Sequence, residues 1–358
     1  MLSFLRLSLL APLLLVSLVS CKKSSDPGTT PPSVPPTTST ATTFTNPILS
    51  SGADPWVTQK DGFYYYMHTT GNNLTLWKTA KMSELGSAVS KVIWSPPAAG
   101  LNSRDIWAPE IHFLDGKWYV YFTAGPGNCC GGQRLWVLEN ANADPTTGTW
   151  VEKGQIAISS QDLWAIDATI LEQNGNRYLL WSGQEVGSEQ QNLYIARMAS
   201  PVALTGSRTQ LSRPQYAWEQ YGSNTPYVNE GPQVIKHGSK TLIVYSASHC
   251  SSDEYALGLL SAGSTADPMN AASWTKTPTP VFTKDPADRA YGPGHNAFFT
   301  SKDGKEDWVI YHANLAPNQG CGGARNPRIQ KFEWNADDTP NFGTPAPTGT
   351  PLPRPGGE

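Results

Sequence analysis

The sequence predicts an all-β fold, a five-bladed β-propeller with four-stranded blades around a central axis. Three observations carry that expectation. A short pattern recurs five times: a polar residue, a strand-like run, an Xaa-Gly turn and a second strand-like run. The opening polar residues, Asp54, Glu110, Asp167, Glu230 and His295, lie 56, 57, 63 and 65 residues apart. That spacing leaves room for about four strands per unit. Composition agrees. Aromatic residues make up 10% of the chain and favour strands, while 32 Gly and 30 Pro leave little room for long helices. A β-sandwich with unrelated hairpins is the rival fold, and five matching polar positions count against it.

The chain begins with a targeting pattern. Arg6 supplies a positive n-region and Leu7–Leu18 an apolar h-region, which ends in Leu18-Val19-Ser20-Cys21. Small residues directly before a cysteine resemble a bacterial lipoprotein signal. In that reading residues 1–20 are removed and Cys21 is lipidated. A plain secretory signal with an incidental cysteine is the alternative. Both imply export. Lipidation would anchor the protein to a bacterial outer membrane without a span; otherwise it would be periplasmic or secreted. Residues 21–43 continue as a Pro/Thr/Ser linker with almost no apolar side chains, a tether and not a core. The propeller is expected over 44–342. The Pro/Gly-rich tail, 343–358, is expected to hug the surface or fray. The net charge of -3 offers no basic field for nucleic acid or an anionic membrane surface.

The five units read as follows. Asp54-Pro-Trp-Val precedes Asp61-Gly62 and FYYYMHTT. Glu110-Ile-His-Phe precedes Asp115-Gly116 and KWYVYFTA. Asp167-Ala-Thr-Ile precedes Asn174-Gly175 and NRYLLWSG. Glu230-Gly-Pro-Gln precedes His237-Gly238 and KTLIVYSA. His295-Asn-Ala-Phe precedes Asp303-Gly304 and DWVIYHAN. Asp-Gly and Asn-Gly between β-rich runs are strong hairpin signals. Third strands are expected at 74–79, 135–139, 193–198 and 256–261. With each unit starting on the innermost strand, the five openers ring one end of the axis. The loops after the second strands then rim the same end. Those loops carry Cys129, Cys130, Cys250 and Cys321.

Four carboxylates and a histidine converging on an axis need a function or an ion. Close like charges raise one another's pKa, so that one carboxyl stays protonated at neutral pH. Two carboxyls in different environments make an acid and a base, the pair that glycoside cleavage requires.

Phe44-Thr-Asn-Pro47 followed by Gly52-Ala-Asp-Pro-Trp56 resembles the opening of glycoside hydrolase family 43. Ile106-Trp-Ala-Pro-Glu110, Asp167-Ala-Thr169, Val228-Asn-Glu-Gly-Pro232 and Tyr291-Gly-Pro-Gly-His-Asn296 resemble its further motifs, in order, from about residue 44 to 342. The set is most similar to the exo-α-1,5-L-arabinofuranosidase branch. The resemblance implies an inverting enzyme on plant cell-wall arabinan or arabino-oligosaccharides; separately, a monomer is expected. Asp54 would be the general base, Glu230 the general acid and Asp167 the residue that orients the acid and tunes its pKa. Arg325 and His295 would contact substrate. No cofactor is implied for the chemistry. A structural calcium or other ion would lie on the axis, reached from His295 through water. β-Xylosidase and endo-arabinanase use the same carboxylates and remain alternatives. A non-catalytic glycan-binding lipoprotein is the alternative of another class, opposed by the intact Asp54, Asp167 and Glu230.

Other residues keep two readings. Glu110 is either a substrate contact or a structural partner. Trp56, Trp107 and Trp164 stand near openers and either stack on sugar or pack in the core. Trp181, Trp274, Trp308 and Trp334 read as blade core. Arg328 is a second, weaker candidate beside Arg325. Export permits disulfides. Cys250 pairing with Cys321, with Cys129 joined to Cys130, is favoured over cross-pairing of 129 or 130 with Cys321. A zinc site lacks the usual spacing. Replacing the lipidation residue, Cys21→Ser, should move the protein from the membrane fraction to the soluble one; unchanged fractionation would refute lipidation.

Overall fold

The computed structural model describes residues 42–127, 130–158, 160–222 and 227–358. The signal, Cys21 and nearly all of the linker lie outside the described residues, as does Cys129. After the short β1 (Thr43–Thr45) come five sheets of four antiparallel strands. Blade 1 holds β2 (Ala53–Lys60), β3 (Phe63–Thr69), β4 (Leu74–Thr79) and β5 (Val89–Trp94). Blade 2 holds β6 (Arg104–Leu114), β7 (Lys117–Gly125), β8 (Arg134–Asn140) and β9 (Val151–Gln155). Blade 3 holds β10 (Ala165–Gln173), β11 (Asn176–Gly183), β12 (Asn192–Ser200) and β13 (Ala203–Ser212). Blade 4 holds β14 (Asn229–His237), β15 (Lys240–Ala247), β16 (Ala256–Gly263) and β17 (Thr275–Lys276). Blade 5 holds β18 (Tyr291–Thr300), β19 (Asp307–Asn314), β20 (Asn326–Trp334) and β21 (Pro340–Asn341). The protein is a five-bladed propeller, and each opener lies on the first strand of its blade.

Turn chemistry sets the hairpins. Asp61-Gly62, Asp115-Gly116 and Asn174-Gly175 all have positive φ at both residues. That geometry suits the right-handed twist of the flanking strands, and Asn, Asp and Gly tolerate it best. These turns pair Lys60 with Phe63, Leu114 with Lys117 and Gln173 with Asn176. The second strands are buried along nearly their whole length, between the neighbouring sheets. Five apolar clusters result, one at each junction between blades. Trp118 anchors that between blades 1 and 2, Trp181 that between 2 and 3, and Tyr245 that between 3 and 4. Tyr311 and Trp308 serve the last two junctions. Large aromatics supply much buried area per residue there.

The ring is closed by the segment before blade 1. The buried Asn46 side chain donates to Ile329 O at 2.8 Å and accepts from Ile329 N at 3.0 Å. Ile48 N donates to Pro327 O and Gly52 N to Arg325 O. The tail does not fray. Its β22 (Pro351–Pro353) pairs with β1, and the Glu358 carboxylate accepts from the backbone of Met82 and Ser83. Short extended segments at both ends of the propeller thus satisfy each other's backbone groups. Asn46→Ala would leave both Ile329 backbone groups buried and unpaired. A loss of about 1–3 kcal/mol in urea unfolding is expected; an unchanged midpoint would contradict this closure.

Candidate active site

Each inner strand carries an irregularity at the same end, where one extra residue breaks the register. The bulged residue has positive φ in all five blades: Asp54, Ala108, Asp167, Gly231 and His295, with φ between 41° and 58°. A bulge of this kind turns a side chain away from the sheet and is common beside active sites. Positive φ is costly for most residues and least so for Gly, Asp, Asn and His. Gly231 has a further reason to lack a side chain, since a Cβ there would lie 3.1 Å from His295 Nδ1.

The same register corrects the expectation that the five openers form one ring. Asp54, Asp167 and His295 are equivalent. Glu230 stands one residue earlier, where the other blades have Ala53, Trp107, Ile166 and Gly294. Glu110 stands two residues later, level with Trp56, Thr169, Gln233 and Ala297. Glu110 is buried and does not line the cleft. It accepts from the Gln233 amide and lies 2.9 Å from His112 Nε2, which gives it the structural role. Trp56 is likewise absent from the cleft. Its indole donates to Ile111 O at 2.9 Å and its ring packs on His112.

The bulge N–H groups are held by a repeated clasp from the preceding blade. Ala108 N donates to Thr69 Oγ1, Asp167 N to Thr123 Oγ1 and His295 N to Ser246 Oγ. Asp54 N donates to His312 Nδ1 at 3.0 Å. Blade 4 departs from the pattern. Gly231 N donates to Asp167 Oδ2 at 3.0 Å, while the equivalent Ser182 hydroxyl donates to Asn229 O. Asp167 is thereby tied to the residue after Glu230.

A cleft of about 860 Å³ opens at this end and is lined from all five blades. Asp54, Asp167, Glu230, His295 and Arg325 reach it, as do Trp107 and Trp164. Arg328 does not. It is fully buried and donates to Asn326 Oδ1 and to the carbonyls of Asp288, Arg289 and Asn314. Cys130, Cys250 and Cys321 line the rim, as their loop positions imply. Cys250 and Cys321 are bonded, joining blades 4 and 5. Cys130 is also disulfide-bonded. Among the described residues one group has metal-like spacing, His249 with Cys250 and Cys321. Its sulfurs are joined to each other and present no thiolate, so it is not a zinc site. Trp181, Trp274 and Trp308 are buried in blade cores, and Trp334 is half-buried.

The carboxylates have opposite electrostatics. Burial alone would raise Asp54, yet Arg325, His295, His312 and the Thr69 hydroxyl hold it well below the usual carboxylate range. Arg325 Nη1 lies 2.9 Å and His295 Nδ1 3.3 Å from Asp54 Oδ1, and Thr69 Oγ1 donates to Oδ2 at 2.6 Å. Burial lowers both His295 and His312, so Arg325 is the standing positive charge. Glu230 is pushed up to about 7. Burial is the main cause and Asp54 adds to it, against the Tyr255 hydroxyl, which donates at 2.8 Å, and Arg325. Asp167 is raised well above its ordinary value by burial and then by the charges of Glu230, Asp54 and Glu110, with the Gly231 N–H opposing. The Asp167–Glu230 pair therefore retains a proton at neutral pH.

Sequence reading missed Tyr255, His312 and Thr69. A signal for Thr69 was present: Thr69, Thr123, Ser182 and Ser246 are each the seventh residue of a second-strand run, while His312 is the sixth of its run and is level with them only through the pairing register.

The architecture and this mouth define a propeller with a buried carboxylate cluster on its axis. The family model described as "Glycosyl hydrolases family 43" matches residues 44–340, and the chain belongs to that family. An extracellular exo-alpha-(1->5)-L-arabinofuranosidase of Streptomyces avermitilis is 43% identical over 323 residues, covering 88% of this chain and 66% of that protein. The chain thus spans about two thirds of that relative's length. A protein of the same description from Streptomyces chartreusis is 38% identical over 274 residues, 75% of this chain and 82% of the other. The crystal structure of an alpha-L-arabinofuranosidase from Lactobacillus brevis superposes with a TM-score of 0.79 at 34% identity, covering 86% of this chain and 98% of that one.

Arg325→Gln would leave Asp54 buried beside no standing positive charge. Urea unfolding at pH 7 should show a loss of roughly 3–5 kcal/mol. The depressed Asp54 stabilises the native protein above its unfolded value of about 3.9 and ceases to do so as pH falls. The difference between variant and parent should therefore shrink below pH 4. A difference independent of pH would contradict the pairing.

Proposed function

We propose that this protein is an exported, inverting α-L-arabinofuranosidase. It releases L-arabinofuranose from the non-reducing ends of α-1,5-linked arabinan or arabino-oligosaccharides. Family membership and the described activities of its relatives support the reading. The observation that carries it is one cleft holding Asp54 ionised while Glu230 keeps a proton near neutrality. Asp54 takes a proton from a water whose oxygen forms the new bond to the anomeric carbon. Glu230 gives its proton to the departing glycosidic oxygen as the old bond breaks. The anomeric configuration inverts, and the two carboxyls then need to be roughly 6.5–9.5 Å apart. Asp167 orients the acid segment through Gly231 N and shares with Glu230 the proton that the pair retains. Arg325 and His295 hold Asp54 and face the sugar, and Trp107 and Trp164 offer it aromatic walls.

No reaction step needs a metal. Asn296 is fully buried with both amide atoms unpartnered, and His312 Nε2 is unpartnered too. The Asn296 amide oxygen fits water or an axial ion held with His295, whose role would be structural charge. Asn296 Nδ2 and His312 Nε2 fit water; Nε2 carries the ring hydrogen because Nδ1 accepts from Asp54 N. The targeting pattern and the relatives described as extracellular support export, with Cys21 as the anchor. β-Xylosidase and endo-arabinanase activities, and glycan binding without turnover, are the rival outcomes of the assay below.

Rates on aryl α-L-arabinofuranoside, aryl β-xyloside and linear arabinan decide the substrate. Arabinofuranoside should be preferred and single arabinose released; a xyloside preference or internal cleavage would overturn the assignment. Glu230→Gln should lower kcat on arabino-oligosaccharide by about 10²–10⁴-fold while sugar binding persists. For the parent enzyme, kcat/KM should fall as pH rises through about 7, where Glu230 loses its proton. Tyr255→Phe removes a bond that favours the ionised form, so the alkaline limb should move up by roughly one unit. A downward shift would contradict the assigned donor.

A further inference from the structure

Away from the cleft lies a carboxylate that this chemistry does not use. Glu219 sits in the short turn Ala217–Glu219, between blades 3 and 4, and is 0% exposed. It accepts from Gln215 N at 2.8 Å, Tyr216 N at 2.9 Å, Tyr245 Oη at 3.0 Å and Asn229 Nδ2 at 3.0 Å. Lys276 Nζ pairs with it at 2.6 Å. Its own carbonyl accepts from Ser248 N, where the chain enters the rim loop that carries His249 and Cys250.

Asn229 directly precedes Glu230, and all its polar groups are engaged. Its N–H donates to Gln191 O at 3.1 Å and its carbonyl accepts from Ser182 Oγ at 2.9 Å. Its Oδ1 accepts from Ser212 Oγ at 2.7 Å and from Lys276 Nζ at 3.3 Å. The other four blades provide an internal comparison. The equivalent positions hold Gly52, Ile106, Ala165 and Pro293, none of which has a side chain able to hydrogen-bond. Four blades carry no polar side chain at this level of the inner strand. Blade 4 instead places a buried amide on its inner strand and ties it to a buried ion pair, although such a pair is often no more stabilising than apolar residues of similar size. It is also the blade that carries Glu230.

We propose that Glu219, acting through Asn229, is a positioning residue that fixes the Glu230 carboxyl against the departing oxygen. The proposal rests on Glu230 being the general acid. A misplaced acid slows substrates whose leaving group needs a proton and spares those whose leaving group does not. Damage to the fold slows both.

The test compares arabinobiose with 2,4-dinitrophenyl α-L-arabinofuranoside. The variants are Asn229→Ala and the neutral pair Glu219→Gln with Lys276→Met, which strands no charge. Thermal melts followed by circular dichroism confirm that each is folded, and Asn229→Ala decides the matter if the double variant is not. On arabinobiose kcat should fall by about 10²-fold with KM little changed. On the activated glycoside the loss should stay within about threefold. Equal losses on both substrates, or none on either, would overturn the proposal. Glu230→Gln in the same assay separates the two claims. A leaving-group-dependent loss there, with uniform behaviour at Asn229, rejects the positioning role alone. No such dependence at Glu230 rejects the acid assignment, and the proposal with it.

Discussion

At the cleft end of each inner strand the backbone takes in one extra residue and holds it at positive φ. This bulge governs the site. It releases a side chain from the in-and-out alternation of the strand and turns it toward the axis. The released N–H must then be paired, and Thr, Ser or His from the preceding blade does so in four cases of five. Neighbouring blades are thus joined by hydrogen bonds at the level where the chemistry is placed. The fifth pairing uses Asp167 itself, so one carboxylate clasps the segment that bears another.

Burial penalises every carboxylate at this mouth, and the partners decide the outcome. Asp54 meets a guanidinium, two imidazoles and a hydroxyl, and stays ionised. Glu230 meets one phenol and a nearby anion, and is pushed toward neutrality. The division follows from the ring's closure. Arg325 and His312 come from blade 5, which is brought beside blade 1 by Asn46 and the strand pair β1–β22. An acid and a base of opposite protonation are therefore a consequence of joining the first blade to the last.

Much of this was legible in the sequence, because the repeat unit writes the same turn and strand chemistry five times. The hairpin turns, the third strands and the inner-strand position of every opener follow from local rules. The level of each opener did not follow. Matching openers by residue type aligns Glu110 with Asp54, although it stands five residues before its Xaa-Gly turn, where Asp54 and Asp167 stand seven before theirs, and it lies deeper, against Gln233 and His112. Tyr255 escaped notice because its link to Glu230 depends on how β16 enters its sheet. His312 takes the clasp role from one residue earlier in its run than the Thr and Ser of the other blades, so aligning the runs matches it with His68 instead. Trp56 illustrates the opposite error, where proximity to an opener in sequence stood in for proximity in space.

The central claim is that Asp54 and Glu230 act as base and acid across one sugar ring, with water entering directly. The stereochemistry of the first product tests it most directly. Proton NMR of an α-L-arabinofuranoside digest, recorded before mutarotation, should show β-L-arabinofuranose appearing first. Initial release of the α anomer would mean a covalent intermediate on a nearby carboxylate, and would contradict the account.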